Sequence, residues 1–250
     1  MGVDLTGRRV LVTGASSGIG EATCRTIVAG GGSVAMLARR KDRLDALAAD
    51  LGDRAVPIPT DVTDLEQLET NVAVGAEALD GLDAVIAVAG QNLQGSIHTG
   101  TPQVWRDLLE VNLIGPLATV RYAIDAFDDT GRRDVVLIGS SAALTPLPGL
   151  GIYSASKRGL RAAFDSMRLE LAHLGINVSH VIPGMFLTEG LIEKVPVDGE
   201  KPPTDAEVFV PGTIPAEVGP LVDAIVHLLT LPEGVAVNEI TVRPTGQLRT

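Results

Sequence analysis

Tyr153 and Lys157 stand four residues apart in a stretch with helical patterning, which sets a phenol and an ammonium on one face of a helix. A phenol titrates near pH ~10 and is a poor proton donor or acceptor at neutral pH. A neighbouring ammonium favours the phenolate and draws that value toward the working range. Ser140 lies thirteen residues before the tyrosine, just past a strand-like run, where its hydroxyl can polarise a substrate oxygen; Ser141 rivals it by proximity. The chemistry available to this set is acid–base transfer at an oxygen atom.

A second group of residues provides for phosphate. The run Thr13-Gly14-Ala15-Ser16-Ser17-Gly18-Ile19-Gly20 joins a first apolar run to a helical one. Gly14, Gly18 and Gly20 let the backbone turn tightly and approach a pyrophosphate, which the free N–H groups of the following helix N-terminus attract. The alternative is a glycine-rich turn without a ligand. At the end of the second apolar run, Met36-Leu37-Ala38-Arg39-Arg40 offers no acid but two arginines. A carboxylate there would suit the ribose 2′-hydroxyl of NAD; guanidinium suits the 2′-phosphate of NADP. The expectation is NADP(H), resting mainly on Arg39, with Ser17 adding only a hydroxyl. The bland alternative makes both arginines solvated charges at a helix start.

The elements that must hold these groups alternate along the whole chain. Strands are expected over 9–13, 33–38, 55–58, 83–89, 134–139, 176–182 and 238–243, and helices over 18–29, 41–51, 65–79, 102–127, 151–174 and 216–230. Runs such as Val85-Ile86-Ala87-Val88 and Val135-Val136-Leu137-Ile138 lack polar alternation, as in strands covered on both faces. Strand–helix alternation implies an α/β fold with a doubly wound parallel sheet, expected as one domain over 1–250. The stretch 185–212, with Pro196, Pro202, Pro203 and Pro211 and mixed charge, breaks the rhythm and is read as a substrate lid.

Composition excludes several other classes. Of 250 residues, 45% are hydrophobic and 20% charged, enough to build a core rather than a disordered chain. The formal charge of −11, with scattered basic residues, argues against nucleic acid. Cys24 is the single cysteine, so no internal disulfide is possible, and His98, His173, His180 and His227 have no metal-ligand spacing. Neither a signal peptide nor a membrane span is expected, which makes a cytoplasmic setting the default.

Taken together, Thr13-Gly14-xxx-Gly18-Ile19-Gly20, Asp61-Val62, Ala89-Gly90, Asn112, Ser140, Tyr153-xxx-Lys157 and Pro183-Gly184-xxx-Thr188 resemble the short-chain dehydrogenase/reductase family along essentially the whole chain. That resemblance implies a Rossmann-type sheet of about seven strands in order 3-2-1-4-5-6-7, usually in a tetramer. It implies that Tyr153 exchanges the proton with a carbonyl or alcohol oxygen and that Ser140, at the family spacing, is its partner. Lys157 would bind the nicotinamide ribose and Asn112 a relay water. Asp61 would meet adenine and Thr188 the carboxamide. With Ser16, Ser17, Ile19, Arg40, Val62, Ala89, Gly90, Pro183 and Gly184 these complete the expected NADP(H) site. The implied activity is interconversion of an alcohol and a carbonyl by hydride transfer. The 238–247 tail resembles the branch acting on serine and small hydroxy acids. A 3-oxoacyl-thioester reductase, or a silent NADP(H) sensor that keeps the fold without turnover, are the alternatives.

Two positions stand apart. Val88 occupies the place of an asparagine that in the family ties the fourth strand to its neighbours, so packing is expected to substitute. Pro116 follows Asn112 by four residues and removes the N–H that the Asn112 carbonyl would accept in a regular helix, so the helix should kink there.

Overall fold

A computed structural model describes residues 3–128, 131–145, 148–188 and 216–247. Seven parallel strands form one sheet: β1 (Arg9–Thr13), β2 (Ser33–Ala38), β3 (Ala55–Pro59), β4 (Ala84–Ala87), β5 (Arg133–Ile138), β6 (Ile176–Pro183) and β7 (Glu239–Val242). Their order is β3-β2-β1-β4-β5-β6-β7, as the family resemblance implied. The intervening helices are α1 (Gly18–Ala29), α2 (Lys41–Leu51), α3 (Leu65–Ala78), α4 (Pro102–Leu109), α5 (Gly115–Ile124), α6 (Gly151–Ala172) and α7 (Gly219–Leu228).

Unbroken apolar runs become central strands because both faces are covered. Val10 and Val12 point into a core with Ile27 of α1, Leu44 of α2 and Leu221 of α7. Leu11 points the other way, into a core with Leu68 of α3, Val120 of α5 and Leu160 of α6. Each such leucine or isoleucine, fully withdrawn from water, contributes about 1.5–3 kcal/mol. At the amino-terminal ends of the strands Arg8 pins three of them. Its guanidinium bonds Asp83 Oδ1 at 2.6 Å, Asp134 Oδ2 at 2.8 Å and the Leu229 carbonyl at 2.6 Å.

The long helix expected over 102–127 is divided. After α4 comes a π-turn, Glu110–Ile114, whose wider ring closes with Gly115 N–H on the Glu110 carbonyl, and only then α5. Pro116 stands at the start of α5, so the break falls where a missing donor forbids the regular ladder. The last helix starts at Gly219 rather than 216, with a proline in its first turn, because Ala216 instead bridges Phe186 in the extended chain after β6. Beyond Thr188 the expected lid lies outside the described residues up to 215.

Candidate active site

A cleft of about 560 Å³ opens at the carboxyl ends of the strands. In an open α/β sheet, ligands bind in this crevice. Its floor is the turn between β1 and α1. Gly14 has φ +70°, and a Cβ there would lie 2.9 Å from the Ala89 nitrogen. At Gly20 a Cβ would come within 2.2 Å of the Gly14 carbonyl oxygen, so helix and turn close only on glycine. Gly20 therefore packs beneath the turn, while Gly14, Ser16, Ser17, Gly18 and Ile19 line the cleft.

The rim above is basic. Arg40 folds over the turn, donating from Nε to Ser16 Oγ at 3.1 Å and from Nη2 to Ser17 Oγ at 2.5 Å. Ser17 thus spends its hydroxyl on Arg40 rather than capping α1, where no side-chain cap forms. Arg39 stands exposed on the same rim. Of the two arginines, Arg40 is the one that grips hydroxyls of the turn. Further in, Asp61 lines the wall with its Oδ1 accepting from Thr63 N–H at 3.0 Å and Thr63 Oγ at 2.9 Å. Val62, Ala89, Gly90 and Thr188 complete that wall. Pro183 and Gly184 lie just behind Thr188, at the end of β6 and off the cleft surface. Arginines on the rim, open N–H groups at a helix N-terminus and close backbone approach suit an extended dinucleotide phosphate.

Two of the four acid–base candidates, Asn112 and Lys157, lie beside Gly90. A Cβ on Gly90 would sit 3.2 Å from Asn112 Oδ1 and 3.5 Å from Lys157 Nζ. Lys157 is buried and donates to the Ile138 carbonyl at 3.0 Å, so the last residue of β5 fixes the ammonium. Burial alone pushes its pKa down to about 8. Tyr153 stands one turn earlier on α6, with the Ser140 hydroxyl close enough to favour its phenolate. Burial raises its phenol and the Ser140 hydroxyl offsets part of that rise. The downward pull expected from Lys157 is not seen in the chain alone. The tyrosine is therefore held as a neutral phenol, its proton in place.

Ser140, not Ser141, is the serine that acts on the phenol. Ser140 caps a short 3₁₀ turn (Ser141–Ala143), accepting from Ala142 N–H at 3.2 Å, whereas Ser141 is buried and faces Gln247 Nε2 at 3.4 Å. Asn112, fully buried on the π-turn, reaches Ser156 Oγ at 3.3 Å, and Ser156 in turn donates to the Tyr153 carbonyl at 2.7 Å. Ser156 and Gln91 are parts of this arrangement that no motif singled out, and Gln247 entered only as the end of the 238–247 tail. A polar residue one position before Lys157 was the only cue available for Ser156. Among the described residues there is no cluster suited to a metal and no helix long and apolar enough to cross a membrane.

Comparison with known proteins gives the same picture. The model of the family described as short chain dehydrogenase matches residues 8–196. The chain is 35% identical, over 97% of its length, to the glycine betaine reductase of Emericella nidulans, but spans only 19% of that much longer protein. It is 32% identical to an uncharacterized oxidoreductase of Staphylococcus aureus strain MRSA252, covering 96% of this chain and 98% of the other. The closed form of a serine dehydrogenase complexed with NADP+ superposes with a TM-score of 0.83 at 26% identity, over 94% of each chain. A family match across most of the chain, joined to the strand order and the glycine turn, makes this protein a member of the short-chain dehydrogenase family.

Proposed function

We propose that the protein is an NADP(H)-dependent oxidoreductase that interconverts an alcohol and a carbonyl on a small polar hydroxy compound, in one catalytic domain. The observation that carries this reading is the buried Lys157 ammonium beside Gly90 of a cleft rimmed by Arg39 and Arg40, with Tyr153 one turn before it on the same helix. When bound, the cofactor supplies or accepts the hydride. Arg39, Arg40 and the Ser17 hydroxyl hold a 2′-phosphate; Asp61 accepts from the adenine amine; Thr188 meets the carboxamide. Lys157 anchors the ribose from its place on Ile138. Ser140 orients the substrate oxygen, and Tyr153 delivers its proton to that oxygen in reduction and takes it back in oxidation. Asn112 seats a relay water, with Pro116 leaving the helix carbonyl at Asn112 open to it.

The substrate class follows two relatives whose substrates are small and polar, glycine betaine and serine. An intact Ser–Tyr–Lys set speaks against a silent sensor. A cytoplasmic homo-oligomer completes the reading; Leu169 on α6, 66% exposed, and Ile114, 38% exposed, offer apolar surface for a second copy. The deciding experiment follows NADPH and NADH consumption separately with small polar aldehydes, ketones, 3-oxo acids and 3-oxoacyl thioesters. Turnover with NADPH on the small polar members is expected. Preference for thioesters overturns the substrate class, preference for NADH overturns the arginine argument, and tight NADPH binding with no turnover overturns the enzyme.

A further inference from the structure

The tail after β7 places a side chain between the segment that leads to Thr188 and the turn that follows Ser140. Gln247 ends a tight turn, closed by its own N–H on the Pro244 carbonyl at 3.0 Å and by Arg243 Nη1 on its carbonyl at 3.3 Å. Its side chain is buried, the residue being 4% exposed. Oε1 accepts from Met185 N–H at 2.8 Å, and Nε2 donates to Ser141 Oγ at 3.4 Å. Met185 opens the segment that leads from Gly184 to Thr188; Ser141 adjoins Ser140. One carboxamide therefore spans from the turn that carries Thr188 to the turn that carries the tyrosine's partner.

Gly184 shows that this contact is built into the chain. Its φ does not fall in the left-handed region, so the backbone there does not itself ask for glycine. A Cβ at 184 would lie 2.3 Å from Gln247 Oε1 and 2.6 Å from Arg243 Cβ. The glycine is needed because the tail docks on it. A primary amide suits the span, since it presents an acceptor and a donor on one rigid plane.

We propose that Gln247 is a positioning residue for hydride and proton transfer: its amide sets the separation between the Gly184–Thr188 turn and the Ser140–Ser141 turn. The proposal rests on the oxidoreductase reading above. Misplacement of reacting groups by about 1 Å can cost on the order of 100-fold in rate, so a residue touching neither substrate nor cofactor can act through placement.

The test uses the full-length protein with Gln247→Ala, Ser141→Ala and the double variant. Three readouts separate the roles: amide hydrogen exchange across 183–188 without nucleotide, NADPH affinity by fluorescence, and kcat on the best substrate. Gln247→Ala is expected to speed exchange at Met185 and lower kcat roughly 10- to 100-fold. NADPH affinity should fall by less than kcat does, because Thr188 is one of several groups that hold the nucleotide whereas turnover depends on the placement of both turns. The double variant should be no slower than Gln247→Ala alone, since both remove one strut. Unchanged exchange, or a kcat equal to wild type, overturns the proposal. Should Gln247→Ala not fold, Ser141→Ala decides: a lowered kcat at unchanged melting temperature supports the strut, and a wild-type kcat overturns it. Failure of the oxidoreductase reading shows differently, as wild-type protein that turns over no carbonyl while the exchange result stands.

Discussion

Asn112 grips Gln91 with both ends of its carboxamide, accepting from the Gln91 N–H at 2.7 Å and donating to the Gln91 carbonyl at 2.8 Å. The pair ties the chain past β4 to the π-turn, so the backbone beside Gly90 is held by a buried residue from another element. Together with Thr13 Oγ, which accepts from Ala89 N–H at 3.2 Å, it secures the strand end where Val88 lacks an amide to do so. Val88 itself packs on the core beside α1.

Tyr153→Phe removes the proton while leaving the ring. Turnover should fall about 10²- to 10⁴-fold, the usual worth of a positioned acid or base, with NADPH affinity retained. The raised phenol pKa also sets a direction: reduction needs the protonated form and oxidation the ionised one. Oxidation by wild-type protein should therefore keep rising with pH through the alkaline range while reduction holds level until the raised phenol pKa is approached, as steady-state profiles in the two directions would show.

Arg39→Ala and Arg40→Ala should not behave alike. Arg39 is exposed and holds nothing of the turn, so its loss should weaken NADPH binding and leave NADH binding intact. Arg40 also braces Ser16 and Ser17, so its loss should weaken both. A charge-assisted hydrogen bond to phosphate is worth about 1.5–3 kcal/mol, or roughly 10- to 150-fold in dissociation constant. Fluorescence titration with both nucleotides checks this.

Burial of Lys157 has a cost that pH reveals. Its folded pKa of about 8 lies below the unfolded value, so folding disfavours the ammonium; the stability it withholds at neutral pH returns as pH rises through 8 toward the unfolded pKa. Relative to Lys157→Met, wild type should gain up to about 1.4 kcal/mol per pH unit over that window. Denaturant titrations at pH 7 and 9.5 measure the difference. A flat difference would remove the buried cation from the account.

His180 titrates on the acid side. It is fully buried in β6, stacked on Phe164 with ring centroids 5.3 Å apart, with Nδ1 3.2 Å from Glu239 Oε2, while Arg161 holds the same carboxylate and Lys157 adds like charge. Burial lowers its pKa, outweighing Glu239. The neutral ring's contribution is thus present above the unfolded value of about 6.5 and lost as pH falls below it. Thermal melts between pH 7 and 5 should show wild type losing stability faster than His180→Gln.

Much of this arrangement is visible before folding because it is local. Arg9–Thr13, Ser33–Ala38, Gly18–Ala29 and Lys41–Leu51 form as their apolar runs and periodicity predict, since burial on both faces leaves those runs one way to lie. The choice between Arg39 and Arg40 was not visible. Side chains alternate sides along extended backbone, and which arginine turns to the glycine loop depends on where β2 ends. Gln247 was hidden for another reason: its partners lie 62 and 106 residues away in sequence, and no periodicity reaches that far. A proline signals a break in a helix, but whether the chain answers with a kink or a wider turn depends on what packs around it.

That wider turn keeps two helix halves in phase. Each residue advances an α-helix by about 100°, so adding one shifts everything downstream out of phase. The π-turn at Glu110–Ile114 absorbs such an extra residue: Leu108 before it and Val120 and Ala123 after it all remain buried. Removing one residue between 110 and 114 would take the extra residue out of that turn at the cost of rotating Asn112 off its present heading. The wider turn thus keeps both halves of the helix on the core while it aims a single buried carboxamide.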